Sequence, residues 1–373
     1  MFIYLIGFIL TIIFMYICKY DFTRYKYYKN CYIENPIKLN LRKKRIYQTR
    51  YLFWFLLACM PLGLIAALRY NVGTDYLYTY IPNFKQIIKG NYDVYSEWGF
   101  IYINKFLALF TSNPQAIIFF TGFIFIFFVN HIVLRYSENI LMSFVILLIS
   151  TVFFISLNNV RQSIAAMIFV FAFPYAMKRN FIKYSICMAI ALLFHMTAIP
   201  IFFMYFLINS KFMRKHFLFI AFLIICFLPL LAKVLVLILE NTKYNYYFIS
   251  DFNNGSTTSI NIIYGLFYFI VFYVVLRDEI KTNKISYTFV LFQFFYFLIS
   301  FSSIFISVSE MISRMCYYFL FYQIISIPYV ISKGKTKRDR ILITLLFVIT
   351  YCAYTYYFII LRGYHDVLPY HMI

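Results

Sequence analysis

Three arginines stand where an apolar run begins or ends: Arg69 after YLFWFLLACMPLGLIAAL, Arg161 in NNVRQS and Arg314 in EMISRM. Arginine's planar, permanently charged fork can make two parallel bonds to a phosphate. Ionisable side chains at membrane depth are costly, usually face a cavity and by default mark a substrate site. Near the arginines stand Asp75 in RYNVGTDYLYTYIPNF (69 to 84), Glu97 in SEWG and His195 in ALLFHMTAIP. An imidazole with an ordinary pKa of about 6.5 can take a proton at neutral pH, and so can a carboxylate. The set suits an anion held beside a base. Each member also has a plainer use. An arginine at a span end snorkels to the headgroups, a histidine serves as a hydrogen-bonded core residue, and Glu310 pairs with Arg314 four residues on. Tyr76, Tyr78 and Tyr80 fit an interfacial belt as well as a sugar groove.

The elements that must position these residues follow from composition. Of 373 residues, 64% are hydrophobic and only 13% charged, far from the balance of a soluble domain. At about 20 apolar residues per helical crossing, the chain is an all-α polytopic membrane protein with room for about a dozen spans. Apolar runs put them near 2–18, 51–68, 115–134, 140–157, 160–177, 181–195, 197–209, 216–236, 260–276, 286–307, 311–331 and 341–361. The net charge of +21 does not call for nucleic acid, because cytoplasmic loops of membrane proteins carry an excess of Lys and Arg. The segment 19–50, read as a basic cytoplasmic loop, carries ten Lys or Arg against Asp21 and Glu34. SKGKTKRDR (332 to 340) carries five against Asp339. Twelve crossings with both termini outside keep these and the smaller basic clusters on one side.

On that map FIYINKFLALF (100 to 110) is an interfacial or re-entrant helix near 99–111, inside an outer loop of 69–113. A second outer loop covers 237–259. Arg69, Arg161 and Arg314 then share the side that the positive-inside rule disfavours for cations, which strengthens their reading as a site. The first run lacks a basic leader and a small-residue cleavage site, so it is expected to remain as a helix. The whole of 1–373 reads as a single transmembrane domain. Seven cysteines without a CxxC give neither a disulfide framework nor a zinc site. The chain has no GxxxxGK and no GxSxG, and no divalent-metal site forms among the acidic residues.

Five segments, RYNVGTDYLYTY (69–80), SEWGFIYINKFL (96–107), NNVRQSIAAMIFVFA (158–172), KRNFIKYSICMAIALLFHMTAIP (178–200) and EMISRMCYYF (310–319), resemble in their order and spacing the EpsG and Wzy group of bacterial polysaccharide polymerases. The resemblance implies a GT-C-like polymerase or ligase architecture in the bacterial cytoplasmic membrane, with the active site on the outer face. The implied reaction joins oligosaccharide repeat units carried on undecaprenyl diphosphate, as in O-antigen, capsule or exopolysaccharide synthesis. It needs no cofactor and no metal. Membrane lipid and the flippase and chain-length regulator of the same pathway are the implied partners. Under this reading Arg161 and Arg314 stabilise the departing diphosphate, and Arg69 holds a donor or acceptor phosphate. His195 and Asp75 compete as general base. Tyr76, Tyr80, Glu97, Asn158, Gln162 and Glu310 contact substrate. The rival readings are an O-antigen ligase-like transferase, a membrane acyltransferase and a flippase for lipid-linked oligosaccharide.

Overall fold

A computed structural model describes residues 2–34, 36, 38–95, 97–240, 258–305 and 314–372. Those residues form helices and connecting turns, with no strand among them. The chain is a polytopic all-α protein. Among the described residues eight helices are long and apolar enough to cross a membrane, nine if one bent pair is a single span.

The N-terminal hairpin is built from α1 (Phe2–Glu34) and α2 (Lys38–Ala67). Residues 19–34 and 38–50, read above as loop, are therefore helix: both helices continue past their apolar halves, since Lys, Arg and Tyr propagate a helix once it is nucleated. Asp21 is fully buried inside this hairpin and pairs with Arg50 at 3.1 Å. Helix α2, with thirty residues at 1.5 Å each and hence about 45 Å long, separates this basic end from the Arg69 loop.

After that loop come the short α3 (Ile81–Ile88) and α4 (Trp98–Ala108). Eleven residues make α4 about 16 Å long, too short to cross, as expected of an interfacial segment. Helix α5 (Gln115–Tyr136) is a full span. The next expected span is broken into α6 (Ile140–Ile149) and α7 (Val152–Asn158), inclined at 55° to each other. Helix α8 (Val160–Met177) follows at once. The expected spans around His195 appear as short pieces, α9 (Phe181–Phe194), α10 (Ala198–Phe202) and α11 (Met204–Asn209), followed by α12 (Lys211–Lys215). The C-terminal half consists of α13 (Phe217–Glu240), α14 (Thr258–Leu276), α15 (Lys284–Ser302), α16 (Cys316–Ser332) and α17 (Lys337–Thr355). The second outer loop falls largely on residues 241–257, and Glu310 on 306–313, both outside the described residues.

Helices α8, α15 and α16 form the centre, while α13 and α14 leave most of their surface outward, as lipid-facing helices do. Polar side chains tie the centre together where no water competes. Gln323 on α16 donates to Gln293 on α15 at 2.9 Å and accepts from Tyr351 on α17. At the other side of the bundle Lys284 caps α8, donating to the carbonyls of Ala176 at 3.0 Å and Met177 at 2.8 Å. A cation on the last carbonyls of a helix satisfies groups the helix itself leaves unpaired.

Candidate functional site

The site is built on a gap in the helix path. Asn159 (φ −84°, ψ 57°) breaks the chain between α7 and α8. Irregular backbone at membrane depth is tolerated where other groups satisfy it or where it lines a cavity. Tyr80 does the former: its hydroxyl donates to the Asn158 carbonyl and accepts the Val160 N–H, both at 3.0 Å. The first turn of α8 then carries Arg161 and Gln162, at the helix end whose free N–H groups favour negative charge.

The loop after α2 is fastened onto this gap. Gly73 has φ +93°, and a Cβ there would lie 3.0 Å from the Leu157 carbonyl oxygen, so only glycine fits both the angle and the approach. Asn158 Oδ1 accepts from the Asp75 N–H at 2.8 Å and from the Thr74 hydroxyl at 3.1 Å. Its Nδ2 donates to His365 Nδ1 at 2.8 Å, bringing in the C-terminal tail. Burial, with a smaller push from Arg314, holds the His365 imidazole well below its usual pKa, at about 3, so it accepts this bond as a neutral ring. The tail also takes the Tyr70 N–H on the His371 carbonyl and the Gly73 N–H on the Asp366 carbonyl.

Asp75, Tyr80, Asn159, Arg161, Gln162, His195 and Arg314 thus line one open cleft. They come from four stretches separated by up to 239 residues of sequence, counting from 75 to 314. Behind Arg161 the Glu97 carboxylate, almost fully buried, accepts its Nη1 at 2.5 Å, and the Tyr95 ring lies under the guanidinium at 5.0 Å. Glu97 directly precedes α4, whose Gly99 sits so close to Leu193 that a Cβ would come within 2.7 Å of the Leu193 carbonyl. This contact brings the SEWG segment to the end of α9, two residues before His195. Gln162 donates to the Arg314 carbonyl at 2.7 Å and so fixes the turn carrying that arginine.

His195 Nδ1 faces Thr197, whose backbone N–H donates to it at 3.3 Å. A backbone N–H cannot reverse its role, so Nδ1 accepts and the ring proton resides on Nε2. The Thr197 hydroxyl lies 2.7 Å from Nδ1 and 3.1 Å from the Tyr318 hydroxyl, which holds the ring in place. In this tautomer His195 offers the cleft a donor. The Asp75 side chain makes no hydrogen bond or ion pair to another described residue. Burial raises its pKa above the usual carboxylate value, an effect that Arg161 and Arg314 only partly offset.

Several expected site residues lie elsewhere. Arg69 does not reach the cleft. It is 1% exposed, and its two terminal nitrogens donate to the carbonyls of Ala66 and Leu157, the latter at 2.9 Å. Tyr76 points away and donates to Gln115 Oε1 at 2.6 Å. Asn158 lies beneath the loop rather than in the cleft wall, and Glu97 lies behind Arg161. Thr197, Tyr318, Gln115 and His365 carry supporting roles that the sequence does not announce. For Thr197 the two-residue step from His195 is the one local sign. Among the described residues no group of three His, Cys, Asp or Glu is placed to hold a metal ion.

The geometry defines an all-helical membrane protein with a cationic cleft at a broken helix and a carboxylate inside it. The chain belongs to the EpsG family, whose model matches residues 52–372. Neither the curated proteins nor the solved structures contain a match to it.

Proposed function

We propose that this chain joins oligosaccharide repeat units carried on a polyprenyl diphosphate, undecaprenyl diphosphate in bacteria, on the outer face of the cytoplasmic membrane. The observation that supports this best is the convergence of Arg161, Arg314, Asp75 and His195 on one cleft. Two arginines suit a diphosphate at headgroup level, and a carboxylate with no partner among the described residues suits a sugar hydroxyl.

The acceptor hydroxyl oxygen attacks the anomeric carbon that links the growing glycan to its lipid diphosphate. A new C–O bond forms, the old C–O bond breaks, and its electron pair leaves on the diphosphate. Arg161 and Arg314 meet that charge as it develops, the kind of preorganised electrostatic help that contributes most in such sites. Asp75 takes the hydroxyl proton. His195 Nε2–H donates to a sugar or phosphate oxygen. Glu97 aims Arg161, and Asn158 aims Asp75 through its backbone N–H. The arginines fill the place a divalent cation would have, and polymerisation proceeds in EDTA. The flippase and chain-length regulator of the same pathway are the expected partners.

The test is a gel ladder of surface glycan in a host lacking its own polymerase. The expected result is a ladder with the wild type and a single repeat unit with Arg161→Ala at equal protein level. Full-length polymer from that variant overturns the assignment. If single units fail to reach the outer surface until the protein is supplied, the chain is a flippase instead.

A further inference from the structure

A second cavity lies beside the cleft and has no part in the chemistry above. The two share walls through neighbouring residues. Arg314 lines the cleft while Cys316 and Tyr317 line the cavity, and Tyr364 of the cavity precedes His365, which holds Asn158. One wall is the turn at Thr151, whose φ of +65° interrupts the span between α6 and α7. Non-helical backbone at membrane depth belongs where it borders a cavity.

The chemistry of the lining selects the ligand. Among the described residues the lining contains no Asp, Glu, Lys, Arg or His, which suits a neutral ligand better than a diphosphate. It is not a lipid groove either, because four tyrosines and Asn261 supply polar groups. Tyr354 donates to Asn261 Oδ1 at 2.9 Å, which leaves the Asn261 Nδ2 hydrogens directed elsewhere. The Tyr296 side chain is 4% exposed, yet its hydroxyl has no hydrogen bond to another described residue. That hydroxyl is not one of the fully enclosed polar atoms, so it opens onto the cavity, where such a group ordinarily meets water or a ligand. Flat aromatic faces with hydroxyl and amide donors suit a neutral ring that bears hydroxyls on its edge and C–H bonds on its face.

We infer that this cavity is a saccharide subsite, which binds a neutral sugar of the glycan next to the one whose bond is made or broken in the cleft. The inference rests on the polymerase reading only for which saccharide it takes. Asn261 and Tyr296 hydrogen-bond the sugar hydroxyls, and the rings of Tyr354 and Tyr364 cover its faces.

The experiment uses full-length protein in detergent and, as probe, the free repeat-unit oligosaccharide released from the host's lipid-linked units by mild acid. Binding is read by saturation-transfer NMR for the wild type, Arg161→Ala, Asn261→Ala and Tyr296→Phe, and the glycan ladder is run on the same four. The subsite requires that the wild type and Arg161→Ala bind the probe alike, while Asn261→Ala and Tyr296→Phe each bind about tenfold more weakly, as the loss of one buried hydrogen bond implies. Tyr296→Phe changes one atom, which keeps the test sound should Asn261→Ala fail to accumulate. Binding that is absent, or unchanged in both cavity variants, overturns the subsite even where the ladder forms. Probe binding with the required pattern but no wild-type ladder keeps the subsite and removes the polymerase.

Discussion

Arg69 and Arg161 look alike in the sequence, each at the edge of an apolar run, yet the fold uses them in opposite ways. Arg69 is sealed against two backbone carbonyls and ties the end of α2 to the end of α7. Arg161 leaves about a quarter of its side chain open and spends one nitrogen on Glu97. The difference lies in what meets the fork. Carbonyls satisfy a guanidinium locally and hold backbone in place, whereas a single carboxylate behind the fork leaves its remaining donors directed at the cleft. One region is scaffold for the loop, and the other is the surface that substrate meets.

Replacing Arg161 gives the largest expected effect. Arg161→Ala removes the cleft cation and leaves the Glu97 charge buried without its partner, so both polymer and protein level are at stake. Arg161→Ala/Glu97→Gln separates the two: membrane levels recover and the ladder stays at one repeat unit. Recovery of the ladder in the double variant would show that Arg161 serves the fold as Arg69 does.

Asp75→Asn comes next, with an expected loss of about 10²-fold or more in rate, within the range of a lost general base. Its pH dependence has a definite sign. Burial raises the folded-state pKa above the unfolded value, so the ionised form is disfavoured by folding. As pH falls through that raised pKa, Asp75 takes up a proton, the protein gains stability, and activity drops. Rates in proteoliposomes should therefore show an acid limb above the usual carboxylate range that Asp75→Asn lacks. An identical limb in both forms would assign it to another group.

Arg69→Ala belongs to the other side of the comparison. It strands the Ala66 and Leu157 carbonyls in a buried place, an expected loss of about 3 kcal/mol. The measurement is the thermal midpoint in detergent alongside polymer made per folded molecule. A lower midpoint with normal specific activity marks a scaffold residue. Normal stability with no polymer would place Arg69 at the phosphate after all.

The class of fold is legible in the sequence because apolar runs and basic clusters report directly on the bilayer. The cleft is legible in part for the same reason: Asp75, Arg161, His195 and Arg314 are polar groups where lipid tolerates few. The breaks at Thr151 and Asn159 are not, since a left-handed threonine and a non-helical asparagine at the edges of apolar runs depend on the helices packed around them. The extension of α1 and α2 over 19–34 and 38–50 is hidden because a charged helix and a charged loop share the same composition. Nor does the sequence distinguish Arg69 from Arg161. That distinction depends on Leu157, 88 residues away, coming within reach of one and not the other.

The smallest expected effect tests how sharp the boundary is. Tyr76 and Tyr80 are four residues apart in the same wide helical turn, Tyr76–Tyr80, and by type both suit a sugar groove. Only Tyr80 lines the cleft. Tyr76 donates its hydroxyl to Gln115, whose Nε2 in turn donates to the carbonyls of Ala67 at 2.8 Å and Arg69 at 3.0 Å. Its hydroxyl therefore belongs to the Arg69 scaffold. Tyr76→Phe should lower stability by about 1 kcal/mol, the usual net value of one hydrogen bond, and leave ladder length unchanged. Tyr80→Phe removes the group that satisfies both ends of the helix break and should shorten the ladder. If Tyr76→Phe shortens it as much at equal protein level, substrate extends past the cleft onto the scaffold face, and the division between the two arginine regions is less sharp than their contacts indicate.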